Sequence, residues 1–263
     1  MIRQSIGNQS LRSLCVLWVV LLLFSCDAWV LPRKQFVVAT GPVGYYPLNG
    51  GTLDASGNNL HGVLKNGATY GSDRKSNANS ALMLDGIDDY FEIPDNVLLR
   101  PAVLSISLWI KPQRVTSTTQ IYSKAVFKDN VNNQYTARIT PPYTTGSTTG
   151  YEIIADIEQD GNCEQEDKTK KRVLYFDPGF QLNQWVHIVT VFEGKTGTFY
   201  LNGQKQISNT EFKDGPIDAC SGSPLRFGVA WEGDLNQFSG MMDDIRIYNR
   251  ALTESEIKAL YQQ

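Results

Sequence analysis

Asp156, Glu158 and Asp160 alternate along one stretch of the chain. In an extended backbone that puts their carboxylates on one face at about 6.5 to 7 Å spacing. Paired carboxylates carry out glycoside hydrolysis, with a separation of roughly 5 to 5.5 Å when the reaction retains configuration. Asp156 and Glu158 are therefore the candidate catalytic pair if the chain is an enzyme. Against this, Asp160 already falls in the polar turn from Gln159 to Lys171, and the same pattern describes a solvated hairpin. Aromatic side chains offer a second chemistry, because their faces stack on sugar rings. Trp109 and Trp185 stand in strand-like runs and are expected in the interior. Trp231, in Ala230-Trp231-Glu232-Gly233, and Tyr143, in Pro142-Tyr143-Thr144, stand in loop-like contexts and are the candidate ligand-binding residues. His187 lies on an apolar strand with no serine or carboxylate placed to complete a triad, so it is read as a core residue.

The cysteines depend on how the N-terminus is processed. Arg3 and Arg12 precede an apolar run from Leu14 to Phe24, which has the length of a secretory signal and is shorter than the roughly 20 residues of a spanning helix. The run ends in Leu23-Phe24-Ser25-Cys26, which looks like a bacterial lipobox, so Cys26 is the candidate lipidation site. Cleavage near Ala28 and an uncleaved anchor are the alternatives. Residues 1–25 are then the signal peptide and 26–40 a tether to the membrane. Cys15 leaves with the signal and Cys26 takes lipid, leaving Cys163 and Cys220 as a pair in an oxidising compartment. A disulfide between them would staple two polar loops, and two unrelated thiols are the alternative.

Charge excludes one class of partner. The 263 residues carry a formal charge of -3, and losing residues 1–25, with two arginines and no acid, makes it two units more negative. An acidic body without a basic stripe does not suit nucleic acid. The one basic cluster, Lys168, Lys170, Lys171 and Arg172, has Glu164, Glu166 and Asp167 beside it and reads as a solvated hairpin tip.

The elements that must position these residues are strands. From Val43 onward apolar residues keep a period of two, broken by Gly, Asn, Asp and Ser every ten residues or so. Val186 to Phe192 is apolar on both faces, which marks a central strand. Asn202-Gly203 is a hairpin turn. One helix is expected, after the capping box Thr253-Glu254-Ser255-Glu256, with Ile257 and Leu260 as its apolar stripe. No internal repeat divides residues 41–263, which are read as one domain.

Five stretches in order resemble the laminin G-like, concanavalin A-like superfamily. They are Tyr45-Tyr46-Pro47-Leu48-Asn49, Asp54-Ala55-Ser56-Gly57-Asn58, Leu84-Asp85-Gly86-Ile87-Asp88-Asp89-Tyr90, Leu104-Ser105-Ile106-Ser107-Leu108-Trp109-Ile110, and Met242-Asp243-Asp244-Ile245-Arg246-Ile247-Tyr248-Asn249-Arg250-Ala251-Leu252. The resemblance implies an all-β fold: a two-sheet antiparallel jelly-roll sandwich, with first and last strands adjacent and a structural calcium near their ends. Asp243 shares a strand face with Ile245 and Ile247, and a buried carboxylate must be paired or bound to metal. Calcium takes carboxylate, amide and carbonyl oxygens, so Asp243, Asn49 and Asp54 are the candidate ligands. The alternatives are Asp243 bonded to backbone amides and Asp54 as a turn residue. The family's β-glucanases carry their acids on such an array, but the nucleophile position here is Asp156 and not the usual Glu. The expected function is therefore a non-catalytic binding module for glycan or protein at the cell envelope, on an exported lipoprotein. A glycan hydrolase and a structural subunit of an envelope assembly are the alternatives, since fold alone does not settle function.

Overall fold

A computed structural model describes residues 41–128, 130–163 and 171–263. The stretches expected to be a signal (1–25) and a tether (26–40, with Cys26) lie outside the described residues, as does the charged stretch 164–170. Among the described residues, no helix is long and apolar enough to cross a membrane.

The strands in chain order are β1 Gly44–Tyr46, β2 Val63–Lys65, β3 Thr69–Gly71, β4 Ala81–Asp85, β5 Tyr90–Ile93 and β6 Leu104–Arg114. Then come β7 Thr119–Lys128, β8 Asn130–Ile139, β9 Tyr143–Thr145, β10 Thr148–Ile157, β11 Lys171–Asp177 and β12 Val186–Glu193. The last are β13 Thr196–Leu201, β14 Gln204–Asn209, β15 Leu225–Phe227 and β16 Ser239–Tyr248, followed by helix α1, Glu254–Tyr261. The first sheet runs β14-β13-β12-β6-β16-β4-β3, with β1 also on β16; the second runs β11-β10-β8-β7-β15-β5-β2, with β9 on β10. All pairings are antiparallel, and the first and last strands meet, Tyr45 opposite Arg246. This is the two-sheet jelly-roll sandwich with one C-terminal helix that the sequence predicts.

The strands form because every second side chain can leave water. Ile106, Leu108 and Ile110 of β6 meet Ile121, Ala137, Ile153, Ala155 and Ile157 from the second sheet in one core. Three tyrosines reach into that core, and each buried hydroxyl finds a partner: Tyr46 donates to the Leu60 carbonyl, Tyr135 to the Leu99 carbonyl, and Tyr122 meets the Thr190 hydroxyl at 2.7 Å. An unpaired buried hydroxyl would cost about 1 to 3 kcal/mol each.

Strand β12 is apolar on both faces because it is covered twice. Ile188 and Phe192 face the main core. Val189 and Val191 face a second cluster with Tyr200, Tyr248, Leu252, Ile257 and Leu260. Helix α1 supplies the last two, and its capping box is formed, the Thr253 side chain accepting from the Glu256 amide and the Glu256 side chain from the Thr253 amide. One bulge redirects a predicted site residue. The β16–β6 register shifts between Asp243 and Arg246, where Asp244 takes a φ of 50°. Met242 and Ile245 both face the core although three positions apart, so Asp243 does not share the core face of Ile245 and Ile247. It lies opposite Trp109 on the outer side of the first sheet.

Candidate functional site

The outer face of the second sheet carries the site. Its strands turn Ile153, Ala155 and Ile157 inward, so the alternating Glu152, Ile154 and Asp156 of β10 point out. On β11 the outward residues are Arg172, Leu174 and Phe176, in register with Asp156, Ile154 and Glu152 in turn. On β8, Thr136 and Arg138 stand opposite Asp156 and Ile154.

Asp156 is only 1% exposed. Arg138 closes on its Oδ2, and the Arg172 Nε lies 3.3 Å from its Oδ1. One guanidinium is bonded to the carboxylate and a second stands in ion-pair range, so its oxygens face protein groups and not a substrate. Glu158 follows the end of β10 and is fully buried. Neither carboxylate is presented to a substrate, so the geometry argues against the hydrolase alternative.

Tyr143 sits not in a loop but on β9, whose backbone pairs with β10 at Gly150. A side chain at Gly150 would strike the Asp177 carbonyl at 2.6 Å, so glycine lets the β10–β11 edge close beneath β9. Tyr143 remains 40% exposed, donates to Glu152 Oε1 at 3.2 Å, and its ring lies 5.2 Å from that of Phe176. With exposed Leu174 the two rings make an apolar shelf beside the Arg138–Asp156–Arg172 cluster.

Trp231 is half-buried and lines a separate cavity of about 250 Å³ with Ser223, Arg226 and Glu232. The loop under that cavity is held from two sides. The Cys163–Cys220 disulfide is formed, its Cα atoms 5.5 Å apart. Lys124, with no side-chain exposure, places its Nζ 2.7 Å from Asp95 Oδ1 and 2.5 Å from the Ser223 carbonyl. Burial lowers the Lys124 pKa, and the Asp95 carboxylate opposes that shift.

The residues expected to share calcium are placed differently. Asp54 Oδ1 accepts from the Tyr45 and Ser56 amides, and Oδ2 from the Ser56 hydroxyl and the Leu60 amide. Burial raises its pKa, but these donors outweigh burial and the net shift is downward. Asp243 is paired with Arg74, Nη1 to Oδ2 at 2.5 Å, while Arg74 Nη2 takes Asp244 at 2.7 Å. Asn49 and Asp243 border one cavity of about 490 Å³ together with Arg74, and Asp54 is not among its lining residues. Among the described residues, no three His, Cys, Asp or Glu side chains stand close enough to share a metal. These three residues do not fit a common calcium ion: protein donors fill Asp54, and a guanidinium holds Asp243.

Arg74 also lies 4.8 Å over the Trp109 ring. His187, beneath it, meets the Ser107 hydroxyl at 2.9 Å and packs on Trp109 and Tyr261. Its pKa is lowered to about 3 by burial, then by Arg246 and Arg74, so it is neutral and in the interior as expected, although the sequence reading places no serine beside it and the fold brings Ser107 there. Sequence reasoning missed Arg74, Arg138 and Phe176. Arg172 was visible only as part of a basic cluster. The alternation Arg172, Leu174, Phe176 could have found the β11 face; nothing in the turn-rich stretch 72–80 marks Arg74.

The family whose profile matches residues 85–258, more than half of the chain, is described as the Concanavalin A-like lectin/glucanases superfamily. The chain is 28% identical over 232 residues, 79% of its length, to Paraclostridial mosquitocidal protein 1 of Paraclostridium bifermentans, of which it covers 16%. It is 29% identical over 84 residues, 32% of its length, to Adhesion G-protein coupled receptor V1 of Danio rerio, of which it covers 1%. The chain thus spans a small fraction of these relatives. Its fold is similar to domain 4 of AbnA, a GH43 extracellular arabinanase from Geobacillus stearothermophilus solved in complex with arabinotriose. That match has a TM-score of 0.59 and 22% identity over 84% of this chain and 98% of that one. It is likewise similar to the binding domain of Paraclostridial Mosquitocidal Protein 1, with a TM-score of 0.59 and 21% identity over 85% of this chain and 52% of that one. The five sequence stretches, the two-sheet topology with its joined first and last strands and the matching profile agree, and this chain belongs to the Concanavalin A-like lectin/glucanases superfamily.

Proposed function

We propose that this chain is a non-catalytic binding module that recognises a glycan on the outer face of its second sheet. The observation that carries the reading is the exposed Tyr143 packed on the half-buried Phe176, beside a carboxylate that two arginines approach. Aromatic faces offer apolar area for a sugar ring, and the buried Asp156 leaves no acid and base for cleavage. The likeness to a domain solved with arabinotriose and to a toxin binding domain supports binding over turnover. A glycan array on residues 41–263, followed by calorimetry, tests it. Binding without product release, reduced at least tenfold by Phe176→Ala, agrees with the proposal; product release, or no bound glycan, overturns it.

We further propose that the module is exported and held at the envelope by lipid on Cys26. The support is the lipobox spacing Leu23-Phe24-Ser25-Cys26 at the end of an apolar run. Mass spectrometry of the membrane fraction should find the acylated cysteine. A Cys26→Ala protein that stays fully membrane-bound would sink the idea.

A further inference from the structure

We infer that the glycan taken by this face carries a negative charge, a carboxylate or a sulfate; the inference rests on the binding reading above and deepens it. Its basis is the charge balance at Arg138, Asp156 and Arg172. Two guanidiniums meet a single carboxylate, so the trio retains one positive charge. Asp156 takes only Nη1 of Arg138 and approaches only Nε of Arg172. The other N–H groups of both guanidiniums take no acceptor among the described residues. Their side chains are 21% and 41% exposed, against 1% for Asp156, so the positive groups reach solvent and the negative one does not.

Guanidinium forks favour planar or tetrahedral oxyanions, to which they donate paired hydrogen bonds. The buried carboxylate beneath fixes the arginines in place before a ligand arrives, which lowers the ordering cost of binding. Register sets the distance to the apolar shelf. Arg172 and Phe176 are four residues apart on β11, so their Cα atoms lie roughly 13 Å from each other along the strand. Charged sugar and stacked sugar therefore fall on different rings of one oligosaccharide, with Glu152 and Tyr143 holding the neutral end.

Calorimetry on residues 41–263 distinguishes the sources. The probes are a galacturonate oligomer, a sulfated heparan-type oligomer, and neutral arabino- and cello-oligosaccharides. The expected result is binding of one of the two acidic oligomers at least tenfold tighter than either neutral one, weakening as salt is raised. Arg172→Gln should reduce that preference tenfold or more, the loss of a charged hydrogen bond. Asp156→Asn is the opposite test: it keeps an acceptor oxygen in place to hold the Arg138 guanidinium while withdrawing the competing charge, so acidic oligomers should bind at least as tightly as to the unaltered protein. A merely structural role for the trio would instead lower neutral and acidic binding together. Equal or better binding of the neutral oligosaccharides, with the Phe176→Ala loss retained, overturns the charge inference and leaves glycan binding standing. Absence of any glycan binding overturns both.

Discussion

The buried polar side chains make claims that single substitutions can test. Arg74 bridges Asp243 and Asp244 from a position 11% exposed, so Arg74→Ala leaves the buried Asp243 without its ion-pair partner beside Asp244, which keeps Arg246 at 3.2 Å. Breaking a buried pair in this way typically costs about 3 to 5 kcal/mol. Chemical denaturation should show a loss of that order, with Lys75→Ala as a near-neutral neighbour; a loss below about 1 kcal/mol would show that the pair carries little. His187 predicts a pH dependence. An unfolded histidine takes its proton near pH 6.5, and the folded one only near 3, held down by burial, Arg246 and Arg74. Between those values the unfolded state binds more protons, so stability falls as the solution is acidified. Asp243, held up to about 7 by burial and by Asp244 against the pull of Arg74, works in the opposite direction over much of that window. The diagnostic is therefore the difference between wild type and His187→Gln. The variant should lose less stability than wild type between pH 6.5 and 4, and equal slopes would show that the histidine is not the group responsible.

At the scale of elements, the disulfide ties two loops together and the helix covers the outer face of the first sheet. The Cys163–Cys220 bridge closes a loop of 57 residues, for which chain entropy gives about 4 kcal/mol of stabilisation. Cys163→Ser with Cys220→Ser should lower the denaturation midpoint accordingly, and alkylation of both thiols in the unreduced, denatured protein would show that the bridge does not form in the cell. Helix α1 is only eight residues long, too short to hold its shape alone. Its stability comes from burying Ile257 and Leu260 on Val189, Val191, Tyr200 and Tyr248. Ile257→Ala should therefore cost about 2 to 5 kcal/mol, against about 1 kcal/mol for removing the cap with Thr253→Ala. If the cap proved the costlier change, the helix would owe more to its own hydrogen bonds than to the sheet.

For the whole molecule, the first and last strands are joined by backbone pairing, and the carboxylates expected to take calcium already meet protein donors, Asp54 the Tyr45, Ser56 and Leu60 groups and Asp243 the Arg74 guanidinium. An ion bound only by the folded state would raise stability by about 2.7 kcal/mol at a hundredfold excess over its Kd. With Asp54 saturated by donors and Asp243 held by Arg74, the melting temperature in EDTA should match that in millimolar calcium. A clear rise with calcium would mean that Arg74 gives way and that a ligand set assembles around Asp243 and Asn49.

What the sequence by itself determined is what depends on local pattern. The period-two alternation of the strands, the Asn202-Gly203 turn and the capping box are all local, and so was the all-β class, whereas the expected pairing of Cys163 with Cys220, against two unrelated thiols, was decided by the fold. Strands β2, β3, β7, β9 and β14 escaped notice for physical reasons. Strand β14 is a polar edge with little to bury, and β7 is broken by register shifts at Gln120/Tyr122 and Lys124/Ala125. The tertiary structure alone decided the sites. A bulge of one register step took Asp243 off the core face, because side-chain direction in a strand reverses with each residue. Arg74 reached Asp243 across 169 positions of sequence, and Arg138 and Arg172 met Asp156 only because β8, β10 and β11 are neighbours. Strand alternation is written in each segment, whereas a charge's partner depends on which strands pair and in what register, and that is settled only when the sheets close.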